Sequence, residues 1–334
     1  MLRIGILGTG RIARIFAAEV RSSAKVEVAA VASRDVRQAR SFAEDFGIAR
    51  AYQGYEDLLA DGEVDAVYNA LPSSLHAPWS IDAAEAGKHV LCEKPLATSA
   101  DEVRRMFAAA ERNGVRIVEA YPYRAQPHTS ALRRLIAEGA IGAVRMIEAS
   151  FGFPMPQAGD IRFDPSLGGG ALLDAGSYPV SFVRMIAGSA PAQVLASARF
   201  GSSGVDHVVA ASLVHKDGPM AQISCAFGIA PYRRAVIVGE EGTIETSYPN
   251  RPSPAFPSAL IVTRGSGWHI EPQRIEIEAV RPFRAQAESF ADMIHGGDAH
   301  WTGATPAESL DIALTLDAIA ESARTGRAVP LPGD

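Results

Sequence analysis

The sequence predicts an α/β chain: an N-terminal doubly wound parallel sheet, then an α+β region built round an antiparallel or mixed sheet. Three observations carry this. Across residues 1–120, short Val- and Ile-rich runs alternate with segments whose apolar residues recur every three or four positions. Near-continuous apolar strands separated by helices mean a parallel sheet covered on both faces. From Ala192 to Val280 extended runs succeed one another without helical spacers, and turn signals such as Lys216-Asp217-Gly218 and Glu240-Glu241-Gly242 separate some of them, the signature of hairpins. The 334 residues leave each region enough chain for a core of its own, and the change of rhythm places the boundary between 1–120 and 121–334.

The strand runs of the first region are Arg3–Leu7, Val26–Ala32, a weaker Ala49–Gln53, Val64–Ala70, His89–Glu93 and Arg116–Glu119. Helices are expected at Ile12–Val20, Val36–Phe46, His76–Ala86 and Val103–Asn113. Past Tyr121 a helix is expected over Thr129–Glu138 and a strand over Val144–Gly152. A Gly/Pro-rich stretch, Phe153–Gly170, then leads to a helix beginning near Ala171. The extended runs are Gln193–Phe200, His207–His215, Ala221–Gly228, Ala235–Gly239, Thr243–Tyr248, Ala259–Arg264 and Arg274–Val280. Two helices close the chain, Phe283–His295 and Thr305–Thr325; Thr305 suits the N-cap of the second and Pro306 its first helical position.

Composition narrows the function. Thirty-two basic against 38 acidic residues give a net charge of −6, which argues against a nucleic-acid coat protein, whose domain needs a basic stripe. No apolar run approaches the length of a membrane span. Met1-Leu2-Arg3 leads straight into a strand, so no leader peptide is expected and the cytoplasm is the expected compartment. Cys92 and Cys225 lie far apart, giving neither a disulfide framework nor a CxxC metal site. An enzyme or binder of small molecules remains.

Gly8-Thr9-Gly10-Arg11-Ile12-Ala13 follows the first strand and opens the first helix. This is the G-x-G-x-x-G/A pattern in the context it needs: Gly8 for the tight turn, Gly10 for close approach of a pyrophosphate, Ala13 for helix–sheet packing, and a helix N-terminus for the anion. A Rossmann dinucleotide site is therefore expected. Where NAD-binding versions place a ribose-binding carboxylate, this chain reads Ala32-Ser33-Arg34. A hydroxyl and a guanidinium accept a 2′-phosphate that a carboxylate would repel, so NADP is preferred, with NAD the second choice. The competing reading makes Arg34 and Arg37 solvated surface charges and lets Asp35 serve the ribose.

Only four of the basic residues are lysines: Lys25, Lys88, Lys94 and Lys216. Lys94, in Cys92-Glu93-Lys94-Pro95, leaves the fifth strand at the edge where parallel sheets bind ligands, as does Leu71-Pro72-Ser73-Ser74-Leu75-His76 after the fourth. An ammonium there can hold a substrate hydroxyl and favour ionisation of a neighbouring acid; a simple pairing with Glu93 is the competing reading. Downstream, Gly168-Gly169-Gly170 permits close backbone approach to a ligand or a neighbouring strand. Asp174 and Tyr178, four residues apart, share a face if the segment is helical. Lysine, carboxylate and phenol suit proton movement that accompanies hydride transfer. Without Lys94, an ordinary half-buried tyrosine and an ion-paired aspartate would be the better reading.

Glu93-Lys94-Pro95 after a nucleotide-binding βα region, with Gly168-Gly169-Gly170-Ala171-Leu172-Leu173-Asp174-Ala175-Gly176-Ser177-Tyr178 downstream, resembles the Gfo/Idh/MocA oxidoreductase family. The branch most like it holds glucose–fructose oxidoreductase, NADP-dependent D-xylose dehydrogenase and dimeric dihydrodiol dehydrogenase. The likeness runs to the closing segment Ala318–Arg327. It implies a Rossmann domain plus a C-terminal domain with a large open, mostly antiparallel sheet, often used for dimerisation. Glu93 and Lys94 would lie beside nicotinamide and substrate, Pro95 after a cis peptide bond, and Asp174 at the substrate. Leu71, Pro72, Ser73, His76 and Arg124 match cofactor-contacting positions. Many members have histidine where this chain has Tyr178, which points away from inositols and makes tyrosine the proton carrier.

The expected activity is hydride transfer between nicotinamide and a sugar or related small polyol or carbonyl compound. Dihydrodiol oxidation and dicarbonyl reduction are the alternatives within the class; a non-catalytic NADPH-binding sensor is the alternative outside it. Arg162 and Phe163, before the triple glycine, are candidates for shaping the pocket, with Phe153 and Pro154–Pro156. A homodimer or homotetramer through the C-terminal sheet is expected.

Overall fold

The structure, a computed structural model, describes residues 1–155, 159–253, 255–267 and 269–332; Pro156 of the pocket-shaping candidates lies outside them. In chain order the elements are β1 (Leu2–Leu7), α1 (Arg11–Val20), β2 (Val26–Ser33), α2 (Val36–Phe46), β3 (Arg50–Gln53), α3 (Glu56–Leu59), β4 (Ala66–Asn69), α4 (His76–Glu85), β5 (His89–Glu93), α5 (Ala100–Arg112) and β6 (Ile117–Ala120). Then come α6 (Pro127–Ala137), β7 (Val144–Phe153), α7 (Ser177–Ala187), β8 (Gln193–Phe200), β9 (Asp206–Val214), β10 (Met220–Phe227), β11 (Tyr232–Gly239) and β12 (Gly242–Thr246). β13 (Ala259–Arg264), β14 (Gln273–Glu276), α8 (Pro282–Gly296), α9 (Pro306–Thr325) and β15 (Val329–Pro330) complete the chain. These form two compact units: residues 1–125 with 281–306, and residues 126–280 with 307–334.

In the first unit six strands run parallel in the order β3-β2-β1-β4-β5-β6. β4 is buried from end to end, as a strand covered on both faces must be. Asp35 caps α2 by accepting from the Arg37 amide, and Gly47 closes the same helix in the left-handed region, so both ends satisfy backbone groups that would otherwise lack partners. The core gathers Leu2, Ile4, Ile6, Phe16, Phe42 and Tyr68. It also takes in Phe283, Ala287, Phe290 and Met293 from α8, while the Glu19 carboxylate accepts the Phe283 amide at 2.9 Å. Burying an aromatic side chain of this kind contributes about 1.5–3 kcal/mol. Segment 281–306 therefore belongs to the first unit, whereas the sequence reading kept it within an unbroken 121–334. Periodicity marks a helix but not the core it enters.

Among the described residues the second unit holds nine strands ordered β14-β13-β12-β11-β7-β10-β9-β8-β15. Of these strands only β7 and β10 pair in parallel among the described residues; the other neighbours are antiparallel. This is the mixed, mostly antiparallel sheet expected. Ile147, Ala149, Leu213, Ile223, Ala235 and Ile237 point to the buried face. Ser322 of α9 accepts the Ala196 amide of β8 at 2.8 Å, and Arg184 of α7 meets Asp311 of α9 at 2.5 Å. Gly169 and Gly170 are crowded by their own unit. A Cβ on Gly169 would lie 2.5 Å from the Arg162 carbonyl oxygen, and one on Gly170 would lie 2.5 Å from Asp206 Oδ1.

His128 on α6 is buried, with Nε2 2.8 Å from Thr246 Oγ1, and burial pulls its pKa down from 6.5 to about 4. The folded pKa lies below the unfolded one, so the neutral form contributes stability that is complete above about 6.5 and is lost as pH falls toward 4. The difference corresponds to about 3 kcal/mol. Wild type should lose stability more steeply than His128→Asn over that window in denaturant titrations; parallel curves would refute it.

Candidate active site

A parallel sheet sends every strand out on one side, and the registers here show which segments share that edge. Leu7 pairs with Asn69, Asn69 with Cys92, and Cys92 with Glu119. Gly8, Leu71 and Lys94 thus leave the first unit's sheet side by side, next to the point where strand order reverses between β1 and β4. Gly8 has φ 98°, and a Cβ there would press on Leu71 at 3.1 Å and on the Ala70 carbonyl oxygen at 3.3 Å, so the fold itself demands glycine. Gly10 differs: a Cβ would meet nothing within 4 Å. The N-terminus of α1 has no side-chain cap hydrogen bond and no acidic residue in its first turn. That open, uncapped helix end fits the pyrophosphate of a dinucleotide.

A cleft of about 410 Å³ adjoins it, lined by Thr9, Arg14, Asp35, Arg37, Gln38 and Ser41. Thr9 meets Gln38 at 3.3 Å. Ser33 is buried and accepts the Asp35 amide at 3.4 Å, while Arg34 is exposed. Asp35 accepts both from the Arg37 amide and from its guanidinium. These contacts hold its carboxyl below the ordinary range. The carboxylate that competed for the ribose is thus engaged as a helix cap.

Around Lys94 the backbone is tightly held. The Lys94–Pro95 bond is cis. Glu93 is buried, and its Oε1 accepts from Tyr68 Oη at 2.5 Å; the Tyr68 ring stacks on Phe16 with centroids 3.8 Å apart. His76 is buried, with Nδ1 2.7 Å from the Pro95 carbonyl oxygen and Nε2 2.8 Å from that of Leu71. Burial depresses its pKa. The neutral ring has one N–H to donate to one of these carbonyls, and lying between them it links the loop after β4 to the loop after β5. The Leu96 amide donates to Glu119 Oε1 at 3.0 Å. Pro72 and Ser73 are partly exposed, and Arg124 is buried in the short turn after β6.

In the second unit Leu172–Gly176 is one turn of π-helix that runs into α7; such turns concentrate at functional sites. The sequence reading assumed an ordinary helix through Asp174 and Tyr178. Crowding explains the difference: the Leu172 amide is bound by Asp206 Oδ2 at 2.6 Å, and a Cβ on Gly176 would lie 2.9 Å from Cys225 Sγ. Burial raises the Asp206 pKa. Asp174 Oδ2 accepts from Arg162 Nε at 2.6 Å, and the same guanidinium reaches Asp160 at 3.2 Å. Phe163 sits edge-on to His207 and Phe227.

Tyr178 is buried to 6% exposure. Its ring meets Phe151 edge-on at 5.2 Å, and its Oη accepts from Asn250 Nδ2 at 2.9 Å. The buried Arg233 guanidinium stands 4.7 Å from the ring centroid. Neither Asn250 nor Arg233 was singled out from sequence. Arg233 was within reach of it, because the alternation of Ala235 and Ile237 carried back two residues puts 233 on the buried face of β11. Asn250 lies in a loop after β12, where no periodicity exists.

A family model described as an oxidoreductase family with an NAD-binding Rossmann fold matches residues 2–121, and a GFO/IDH/MocA C-terminal domain model matches residues 129–245. The chain is 36% identical over 338 residues to D-xylose 1-dehydrogenase (NADP(+)) 2 of Haloferax volcanii, covering 99% of this chain and all of that one. It is similar to the crystal structure of aldose-aldose oxidoreductase from Caulobacter crescentus, with TM-score 0.89, 27% identity and 99% of each chain covered. It also resembles KijD10, a 3-ketoreductase from Actinomadura kijaniata crystallised with NADP and TDP-benzene, with TM-score 0.86, 31% identity, and 96% and 97% of the two chains covered.

Open space at Gly10 separates folding from binding. Gly10→Ala should melt at the wild-type temperature, since the φ of −69° suits alanine and the Cβ meets nothing. If that space takes a pyrophosphate, a methyl group would fill it, and affinity for NADPH, read by cofactor fluorescence, should fall about tenfold or more. A lowered melting point with intact affinity would reverse the assignment.

Proposed function

Because the chain belongs to the Gfo/Idh/MocA oxidoreductase family and carries its NAD-binding Rossmann domain, we propose that it moves a hydride between NADP and the CH–OH or C=O carbon of a sugar or related small polyol or carbonyl compound. The observation that carries this reading is Lys94 leaving β5 on the same sheet edge as the open Gly10 helix end. The substrate class follows the similar proteins, named for D-xylose, for aldoses and for a 3-keto group. Support for NADP over NAD comes from the absence of a carboxylate at Ser33, the engagement of Asp35 as a cap, and the arginines at 14, 34 and 37.

Gly8, Thr9, Gly10, Arg11 and Ile12 would hold the pyrophosphate, and Ser33 with Arg34 the adenosine ribose. Leu71, Pro72, Ser73, Glu93 and Arg124 would line the rest of the cofactor, with His76 fixing their loops. The bound nicotinamide supplies the acceptor or donor of the hydride. When an alcohol is oxidised, its carbon gives up the hydride and its hydroxyl proton passes to Tyr178; reduction runs the same path backward, the Tyr178 O–H giving its proton to the carbonyl oxygen. The Lys94 ammonium holds that substrate oxygen and favours the ionised phenol. Asp174, fixed by Arg162, accepts from a second hydroxyl, and Phe163 bounds the pocket. The reading requires lysine and phenol to act on one oxygen.

A panel of aldoses, anhydro-ketoses and dihydrodiols, followed by NADPH absorbance with both cofactors, tests it. Turnover of an aldose with a higher kcat/KM for NADP than for NAD is expected. Tyr178→Phe should slow turnover by about 10²–10⁴, the usual worth of a general acid or base, and leave NADPH affinity intact. Tight NADPH binding with no turnover of any compound would favour a sensor.

We also propose a homodimer or homotetramer formed through the second unit's sheet. Register aligns Val214, Met220 and Met146 in one row across β9, β10 and β7, and all three are exposed, as is Leu195. An apolar row of this kind suits a second copy. Sedimentation should show an assembly that Met220→Glu breaks; a wild-type monomer would refute it.

A further inference from the structure

We propose that Asn250 and Arg233 are positioning residues that set which way the Tyr178 hydroxyl points and favour the loss of its proton; the role rests on Tyr178 being the proton carrier. Asn250 Nδ2 donates to Tyr178 Oη at 2.9 Å. That oxygen is the acceptor of the bond, so the phenol's own O–H is directed away from Asn250 and toward another partner. An amide nitrogen held this way cannot take the proton, but it strengthens its bond to the oxygen as negative charge develops there.

Arg233 adds a fixed charge. β11 and β7 place it directly opposite Phe151. Its guanidinium carbon lies 4.5 Å from the Phe151 centroid, 4.7 Å from that of Tyr178 and 4.5 Å from that of Tyr248. A guanidinium does not deprotonate in a folded protein. Three rings hold it by their electron-rich faces, so Tyr178 carries a permanent positive charge on its ring face. Arg233 Nη2 also reaches Asn250 Oδ1 at 3.4 Å. That contact orients the amide with oxygen toward the cation and nitrogen toward the phenol.

The loop that delivers Asn250 is over-determined. Tyr248, two residues earlier, is a non-glycine residue with positive φ, 32°, a conformation that costs about 1–3 kcal/mol and persists only where surroundings enforce it. Tyr248 is fully buried and its Oη donates to the Ser150 carbonyl oxygen at 2.8 Å. Its amide is bound by Thr246 Oγ1 at 2.9 Å, and its ring lies 4.6 Å from Phe182. Gln126 Nε2 donates to the Asn250 carbonyl oxygen at 3.2 Å. The chain thus accepts strain at 248 and fixes both backbone and side chain at 250.

Asn250→Asp is nearly isosteric and keeps an oxygen for Arg233, but it turns the donor toward Tyr178 into an acceptor. Expected are an unchanged melting temperature, unchanged NADPH affinity, and a fall of about 10² in kcat with NADP and D-xylose, the worth of a donor on a developing oxyanion. Tyrosinate absorbance in a pH titration, taken as the difference from Tyr178→Phe, should appear at higher pH in Asn250→Asp and in Arg233→Met, and near its wild-type position in Arg233→Lys. Asn250→Ala removes the donor without adding charge and should lose turnover in the same direction. In a Tyr178→Phe background Asn250→Asp should cost nothing further. Full activity of Tyr178→Phe would end the proton-carrier reading itself. Slow Tyr178→Phe beside a fully active Asn250→Asp, or a loss that persists without the phenol, would overturn only the positioning role.

Discussion

Parallel pairing is the constraint on which the first unit turns. Once β1, β4, β5 and β6 run the same way and in register, the chain must leave every strand at one edge, and residues 8, 71, 94 and 124 are carried there whatever their side chains. Chemistry is then a matter of which residue types occupy those exits. Glycine at 8 is required by φ and by Leu71, whereas glycine at 10 answers no demand within the fold. That contrast separates a glycine the fold requires from one it does not, without reference to any other sequence.

In the second unit the equivalent constraint is crowding. Gly169, Gly170 and Gly176 stand where any side chain would collide with residue 162, Asp206 or Cys225. Backbone packed this tightly against β9 and β10 leaves no room for a regular first turn, and Leu172–Gly176 widens into a π-turn whose start is bound by Asp206. Asp174 and Tyr178 remain four residues apart, yet each ends on its own partner: Asp174 on Arg162, Tyr178 on Asn250. The triple glycine read from sequence as a feature that lets the backbone approach a ligand or a strand approaches the unit's own loop and strand.

Legibility followed the range of the interactions. Strands and helices of the first 120 residues were readable because local periodicity decides them, and the fingerprint loop because its context, strand then helix, is local too. Segment 281–306 was misplaced because the core that receives Phe283 and Phe290 is built from residues before 125. The resemblance implies His76 beside the cofactor; that its buried ring also lies between the carbonyls of Leu71 and Pro95 is a pair of contacts that no spacing rule reveals. Arg233 sat one alternation beyond the strand as read. Asn250 reaches Tyr178 across 72 positions, and no pattern in the chain relates them.

The basic residues near the candidate chemistry divide by kind. Lys94 is a compact, flexible, strongly hydrated ammonium at a partly exposed loop, suited to exchanging contacts with an incoming substrate. Arg233 is buried among three rings, where a charge gains more from each neighbour because water does not screen it. A guanidinium keeps its proton at any pH at which the protein is folded, so the bias it places on Tyr178 does not vary with the solution. Burying a cation is costly, and rings that only filled space would be served as well by leucine or methionine at 233. Arginine at that position makes physical sense when the group beside it must itself become negative.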